Sequence, residues 1–493
     1  MVISGEESIP LDVGRRGRDA VFQLLLRTVV MRAVTLVGTI LLARILTVAD
    51  FGVFAVLLVW VGILAMVGDA GVAASLVQQA REPTREELGT AWVMQQLLWI
   101  PFVALVWVLA PLVSHAIPSL GSDFEWQLRV ISLSVPLTLL RALPAAMLVR
   151  VLRFRALATI EVVQHLVFYG TSITLALAGA GVWTFVAAVV ASAGVGAVLV
   201  NLFWGRRPGI HFDRAIAVRQ LRFGIAFQAS NVIAAARDWI VPIFGWLGGG
   251  GITAIGHLQF GFRIGQVAAT IDEIIGRVTF AAFSRLQGDP RRIARLVTDS
   301  VLVAGLAVAG VQVWLAAVAP FLVPFVFGDR WIPAVPVLQF VCLGTLLTVP
   351  TRFLRSLVFG QGRSGTGLGL ALAVTAAMLV TFPPLVMAFG LAGGGLAFAL
   401  AAAVGLACHA WAVRATAPFP WLALGWVYLL AAIAGAAAWL VASWLGGVVG
   451  LVAATAVYGA VDLLLIYAFA RPQLALAIRL LRGSGPIEAI ATT

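Results

Sequence analysis

Residues 421–470 read WLALGWVYLLAAIAGAAAWLVASWLGGVVGLVAATAVYGAVDLLLIYAFA, fifty positions with a single charge, Asp462. An α-helix rises 1.5 Å per residue, so about 20 apolar residues cross the hydrocarbon of a bilayer. The stretch therefore holds two crossings, 421–443 and 447–470. A bilayer core offers no water to unpaired backbone groups, so helices are the natural spanning form.

The same pattern recurs outward from this pair. Of 493 residues, 61% are hydrophobic and 11% are charged, and the mean hydropathy is +1.04. Soluble domains carry about 25% charged residues. Further spans are expected near 21–46, 52–77, 91–114, 126–149, 157–179, 182–204, 220–246, 252–282, 298–326, 334–359, 366–388 and 391–412. The fold class is thus an all-α, polytopic membrane bundle of about fourteen spans. Span 8 exceeds what a bilayer needs and is expected to project beyond it. The polar start, with Glu6, Glu7, Arg15, Arg16 and Arg18, precedes an apolar run read as a first span and not as a signal peptide.

The net charge of +12 does not point to nucleic acid, because the arginines sit in short gaps between apolar runs. Every basic residue other than His is Arg, which excludes a Walker or Schiff-base lysine. Cys342 and Cys408 lie inside apolar runs, so no disulfide framework or cysteine metal site is expected. His165, His257 and His409 lack ligand spacing, and Gly360, Gly362 and Gly365 fall between two spans, where a turn belongs. No cofactor, metal or catalytic group is expected.

Arginine also sets the orientation. Arg81, Arg85, Arg206, Arg207, Arg285, Arg291, Arg292, Arg363, Arg414 and Arg471 share one set of loops with both termini; the opposite loops hold Arg330, with Arg44 and Arg129 at span edges. Both termini are therefore expected in the cytoplasm. Arg150, Arg153 and Arg155 are read as interfacial arginines whose stems lie along apolar surface.

The sequence looks duplicated. Ala110-Pro111 matches Ala319-Pro320, Arg141 matches Arg352, and Asp69 falls near Asp272 and Glu273. Six spans per repeat would make the halves parallel. The expected organisation is a tail (1–20), an N-lobe of spans 1–6 (21–204), a linker (205–219), a C-lobe of spans 7–12 (220–412), spans 13–14 (421–470) and a second tail (471–493).

Charged residues at mid-membrane cost about 2.5–3.5 kcal/mol or more, so they face partners or a wet cavity. In span 8, Gln259, Arg263, Gln266, Thr270, Glu273 and Arg277 follow steps of three and four and form one stripe. Span 1 repeats the spacing with Thr28, Arg32, Thr35 and Thr39; span 10 with Thr345, Thr348, Arg352 and Arg355; span 4 with Ser134, Thr138 and Arg141. Span 7 offers Gln228, Asn231, Arg237 and Asp238. The rise per residue puts Arg237 and Arg263 each about 6 Å to the same side of their span midpoints, where Asp238 could pair with Arg263. Asp69 could pair with Arg27 or Arg32. Arginines outnumber acids inside the spans, which suits an anionic ligand, because guanidinium binds phosphate in a bidentate fashion.

Five stretches carry a family resemblance: LLARILTVADFGVFA (41–55), LVQQAREPTREELGTAW (76–92), GAGVWTFV (179–186), VTFAAFSRLQGD (278–289) and PFVFGDRWIPAVPVLQ (324–339). They resemble the polysaccharide-transporter (Wzx-type) flippases of the multidrug/oligosaccharidyl-lipid/polysaccharide exporter superfamily. The chain departs from that pattern at Ala281, where Pro is common, and at His257, near which Tyr is common. The resemblance implies a two-lobed, V-shaped carrier of undecaprenyl-pyrophosphate-linked oligosaccharide working by alternating access, with spans 1, 2, 7 and 8 lining an arginine-rich cavity. It implies residence in the cytoplasmic membrane and, as partners, membrane lipid, a polysaccharide polymerase and export machinery.

The expected site follows from stripes and resemblance together. Arg32 and Arg263, helped by Arg27 and Arg237, would hold the pyrophosphate. Gln259, Gln266, Asn231, Arg141 and Arg352 would face the rest of the headgroup. Asp69, Asp238 or Glu273 would couple an ion. Two alternatives stand beside this reading. A cation-coupled drug exporter of the same superfamily fits poorly with surplus Arg and two extra spans, and a membrane polymerase or ligase would need a large outside loop.

Overall fold

Thr47 and Thr84 each begin a helix in the same way. Each hydroxyl accepts from the backbone N–H three residues on, and the acid at that position, Asp50 or Glu87, accepts in return from the threonine N–H. Such capping boxes satisfy two N–H groups that a helix start leaves bare. In the computed structural model, residues 31–79, 81–151, 153–205, 208–267, 290–361, 363–471 and 474–475 are described.

Among them are sixteen α-helices. α1 covers 31–45. It is followed by α2 (Val48–Asp69), α3 (Val72–Gln78), α4 (Arg85–Ala116), α5 (Phe124–Ser132), α6 (Ser134–Arg150), α7 (Phe154–Leu177) and α8 (Trp183–Trp204). The second half holds α9 (Arg214–Phe244), α10 (Gly251–Gly265), α11 (Pro290–Phe327), α12 (Val335–Gly360), α13 (Ser364–Phe389) and α14 (Leu391–Val413). α15 (Trp421–Leu445) and α16 (Gly447–Phe469) close the chain.

Eleven helical segments among the described residues are long and apolar enough to cross a membrane. Each of the fourteen stretches expected to span contains helix, in whole or in part. The part of span 8 beyond Val267 lies outside the described residues.

The breaks differ from the expectation in three places. Span 2 is two helices, because Ala70 and Gly71 take left-handed backbone angles, φ 44° and 71°. Gly71 lies directly against the backbone of Gly224 in α9, and a side chain there would collide with it. Span 4 is also two helices, α5 and α6, meeting at Leu133. The expected linker 205–219 turns helical at Arg214, where the Asp213 carboxylate caps α9 by accepting from the Ile216 N–H at 2.9 Å.

One apolar core joins α2, α5, α6, α7 and α8 through Leu57, Phe124, Ile131, Leu139 and Phe185. Another joins α11, α12, α14 and α15 through Val301, Phe353, Leu406 and Val427. α2 packs on α10 where glycines permit close approach. Gly52 lies against the Ile252 carbonyl and Gly256 against the Val48 carbonyl, the small-residue contact that brings helix backbones together in membranes.

Candidate functional site

Two clusters of hydrogen bonds join the first half of the chain to the second, one at each end of the bundle. At one end, Arg330 donates to the carbonyls of Leu46 at 2.8 Å and Arg44 at 2.9 Å. Arg44 donates to the carbonyls of Val326 and Phe325 in return. Trp331 donates its indole N–H to Ala43, and His257 bonds the Arg330 carbonyl at 2.9 Å. Phe51 and Phe260 pack on the Trp331 rings.

At the other end, the Glu87 carboxylate, 2% exposed, accepts from Arg81 at 2.7 Å and from Arg219 of α9 at 2.6 Å. Gln220 donates to the Glu87 carbonyl, and the Asp213 N–H donates to Thr90. Arg150 donates to the carbonyls of Leu76, Val77, Gln79 and Arg81. It pins the α3–α4 turn, a structural task beyond the interfacial lodging expected for it.

Between these ends lies a cavity of about 450 Å³. Thr39 of α1, Phe54 and Leu58 of α2, Arg237 and Asp238 of α9, and Gln259, Arg263 and Gln266 of α10 and its end line it, with Phe398 of α14 behind. The predicted stripe of span 8 thus faces the cavity as far as it is described. A second cavity of about 300 Å³ shares Arg237, Gln266 and Phe398 with the first and continues along α12 and α14. The span 10 stripe (Thr345, Thr348, Arg352, Arg355) lines it. The two linings together hold four guanidinium groups and one carboxylate.

Individual partners refine the expectation. Asp238 pairs with its neighbour Arg237 at 3.7 Å and not with Arg263. Adjacent residues on a helix point about 100° apart, yet both side chains reach the cavity. Arg263 donates instead to the Tyr169 hydroxyl of α7 at 3.2 Å. Asp238 is 75% exposed, which within a membrane bundle fits a wet cavity and not lipid. Asp69 accepts from Gln95 of α4 at 2.9 Å, beside the α2–α3 break. That partner replaces the arginine expected for it among the described residues.

Other predicted residues stand apart. Arg141 donates to Gln164 of α7 at 2.8 Å, and Gln164 donates on to the Ser192 carbonyl of α8. That chain lies among α6, α7 and α8, away from both cavities. Asn231 donates to Gln228, which in turn donates to the Met66 carbonyl of α2. Arg32 is exposed on α1, seven residues below Thr39 and so about 10 Å away along the helix. Arg27, Thr270 and Glu273 lie outside the described residues. No group of three His, Cys, Asp or Glu side chains able to hold a metal occurs among the described residues.

Tyr169, Trp239, Thr351, Thr375 and His409 join the site although sequence reading passed over them. His409 read as a packed histidine, and it is buried; its place at the second cavity depends on how α14 meets α12. Thr351 follows Thr348 at a helical step of three, a signal the span 10 stripe did not include.

The polysaccharide biosynthesis protein family matches residues 41–336. The lipopolysaccharide biosynthesis protein WzxC of Escherichia coli K12 is 25% identical over 340 residues, 68% of each chain. The succinoglycan biosynthesis transport protein ExoT of Rhizobium meliloti is 27% identical over 319 residues, 63% of this chain and 62% of the relative. The chain thus spans about two thirds of these relatives.

In fold it is similar to the lipid II flippase MurJ in an inward closed conformation, with a TM-score of 0.74 at 12% identity, over 92% of this chain and all of that one. An inward-facing multidrug resistance MATE transporter of the MOP superfamily gives 0.61 at 16% identity, over 78% and 95%. A matched segment from the first described helix into α12, on a flippase-like bundle with an arginine-lined cavity, leads to one conclusion: the chain is a multi-pass membrane protein and belongs to the polysaccharide biosynthesis protein family.

Proposed function

We propose that this protein moves a lipid-linked oligosaccharide across the cytoplasmic membrane for surface polysaccharide assembly. The observation that carries the reading is the convergence of Arg237 and Arg263 with Gln259 and Gln266 on one cavity between α1, α2, α9 and α10. Surplus guanidinium there suits a pyrophosphate, since each charge-assisted hydrogen bond to it contributes about 1.5–3 kcal/mol. The amides suit sugar hydroxyls, and the prenyl tail stays in lipid.

Arg32 sits on the approach to the cavity along α1, and Arg27 is proposed to assist it. The excess of Arg in one set of loops supports an orientation with both termini and the Glu87 end in the cytoplasm and the Arg44–Arg330 end outside. Transport alternates the opening of the two ends, rocking spans 1–6 against spans 7–12. Of the two acids considered for ion coupling that lie among the described residues, Asp238 lines the cavity and Asp69 does not, and Asp238 takes that role here. A polysaccharide polymerase and export machinery would receive the flipped product.

The test is a deletion in the native host. The account expects lost surface polysaccharide with unchanged drug sensitivity, restored by the wild-type chain and not by an expressed Arg263→Ala variant. Raised drug sensitivity with normal polysaccharide would replace the reading with a drug exporter.

A further inference from the structure

The second cavity is not needed to hold a pyrophosphate, and its chemistry is different. α12 presents Thr345, Thr348, Thr351, Arg352 and Arg355 to it, and α14 presents His409. It starts at the residues shared with the first cavity. From Phe398 to His409 it follows α14 for eleven residues, about 16 Å.

Its hydrogen-bonding capacity can be counted. Thr345, Thr348 and Thr351 donate their hydroxyl hydrogens to the carbonyls of Val341, Thr345 and Leu347 on their own helix. Each hydroxyl has one hydrogen and two lone pairs, so the three oxygens are left as acceptors. His409 is 3% exposed. Its Nδ1 bonds the Gly405 carbonyl at 2.7 Å, and a carbonyl only accepts, so Nδ1 carries the proton. The Nε2 of the neutral ring is then an acceptor, and it is buried with no partner among the described residues. An unsatisfied buried acceptor is unfavourable, and a bound hydroxyl donor would relieve it.

The pocket therefore offers several acceptors beside two guanidinium groups. A fully ionised pyrophosphate diester supplies acceptors only and would leave those lone pairs unmet. A sugar acid supplies hydroxyl donors to the threonines and His409, and a carboxylate to Arg352 and Arg355. We propose that this pocket is a subsite for a carboxylate-bearing sugar of the glycan, next to the pyrophosphate site at Arg237 and Arg263. The subsite rests on the flippase reading and makes the carrier selective for acidic glycans.

The test uses the full chain, purified, with Cys342→Ala and Cys408→Ala. Thr348→Cys then places one thiol in the subsite, and Gln259→Cys, in a separate protein, places one in the first cavity. A neutral maleimide reports the reactivity of each. At about 50 mM, well above a millimolar Kd, methyl glucuronide is expected to slow labelling at residue 348 about tenfold more than methyl glucoside. Adding Arg352→Gln and Arg355→Gln, or Arg355→Gln alone if the double variant does not fold, should remove the difference. Equal protection by the two sugars, or none by the glucuronide, overturns the subsite. Inorganic pyrophosphate separates the two claims, because it should protect residue 259 in an Arg263-dependent way. Pyrophosphate protection without glucuronide protection removes only the subsite, and the absence of both removes the flippase reading as well.

Discussion

Arg141 and Arg352, matched in the expected duplication of the chain, lie one in each half, and their surroundings differ. Arg141 on α6 gives its hydrogens to Gln164, and Gln164 is itself tied to the Ser192 carbonyl. The guanidinium is held by a neutral relay inside the packed wedge of α6, α7 and α8. Arg352 on α12 lines a cavity with Arg355, three threonines and His409. The same residue type thus lies within helix packing in one half and on a cavity wall in the other. An intramembrane arginine is informative about function only once its partners are known.

The largest effect that could break this contrast lies in the second half. Removing both Arg237 and Arg263 should weaken inorganic pyrophosphate binding at least about a hundredfold, from the loss of two charge-assisted contacts, with an unchanged unfolding midpoint. Calorimetry and thermal unfolding of the same preparation check it. An equal loss on removing Arg141 would erase the contrast.

Smaller effects sharpen it in the first half. Gln164→Leu strands the Arg141 guanidinium without its acceptor and should cost about 1–3 kcal/mol of stability. Arg141→Ala removes the charge together with its need, and should cost less, about 1 kcal/mol, with pyrophosphate binding within about twofold of wild type. Reversal of that order in thermal unfolding would mean that Arg141 answers to something other than Gln164.

Much of the fold was legible because apolar runs leave a chain little choice in a bilayer: all fourteen expected spans contain helix. The breaks were not legible. Asp69-Ala70-Gly71 reads as the tail of a span, and the kink there depends on Gly224, some 150 residues away, meeting Gly71 backbone to backbone. The stripe of span 8 was legible from its period, and so was that of span 10. The choice of Arg237 as the Asp238 partner was not, because depth along two helices does not fix which faces meet.

The family stretches proved instructive in another way. Residues 41–55 and 324–339 carry Arg44, Arg330 and Trp331 of one joined end, and residues 76–92 carry Arg81 and Glu87 of the other. Residues 278–289 lie outside the described residues. Three of the five family stretches therefore carry residues of the two joined ends, and residues 41–55 also supply Phe51, Phe54 and Ala55 to the cavity wall. Gly52 and Gly256 belong to the same joined end, where a Cβ would strike the opposing backbone.

The central claim is that the cavity between α1, α2, α9 and α10 carries a pyrophosphate-linked sugar across the membrane. Its most direct test reconstitutes the wild type, Arg263→Ala and Arg141→Ala in liposomes with a prenyl-pyrophosphate oligosaccharide and follows its appearance in the far leaflet. The account predicts transport by the wild type and Arg141→Ala and loss of at least about tenfold in Arg263→Ala, the equivalent of one charge-assisted contact. Transport by Arg263→Ala at the wild-type rate, or none by the wild type, would contradict it.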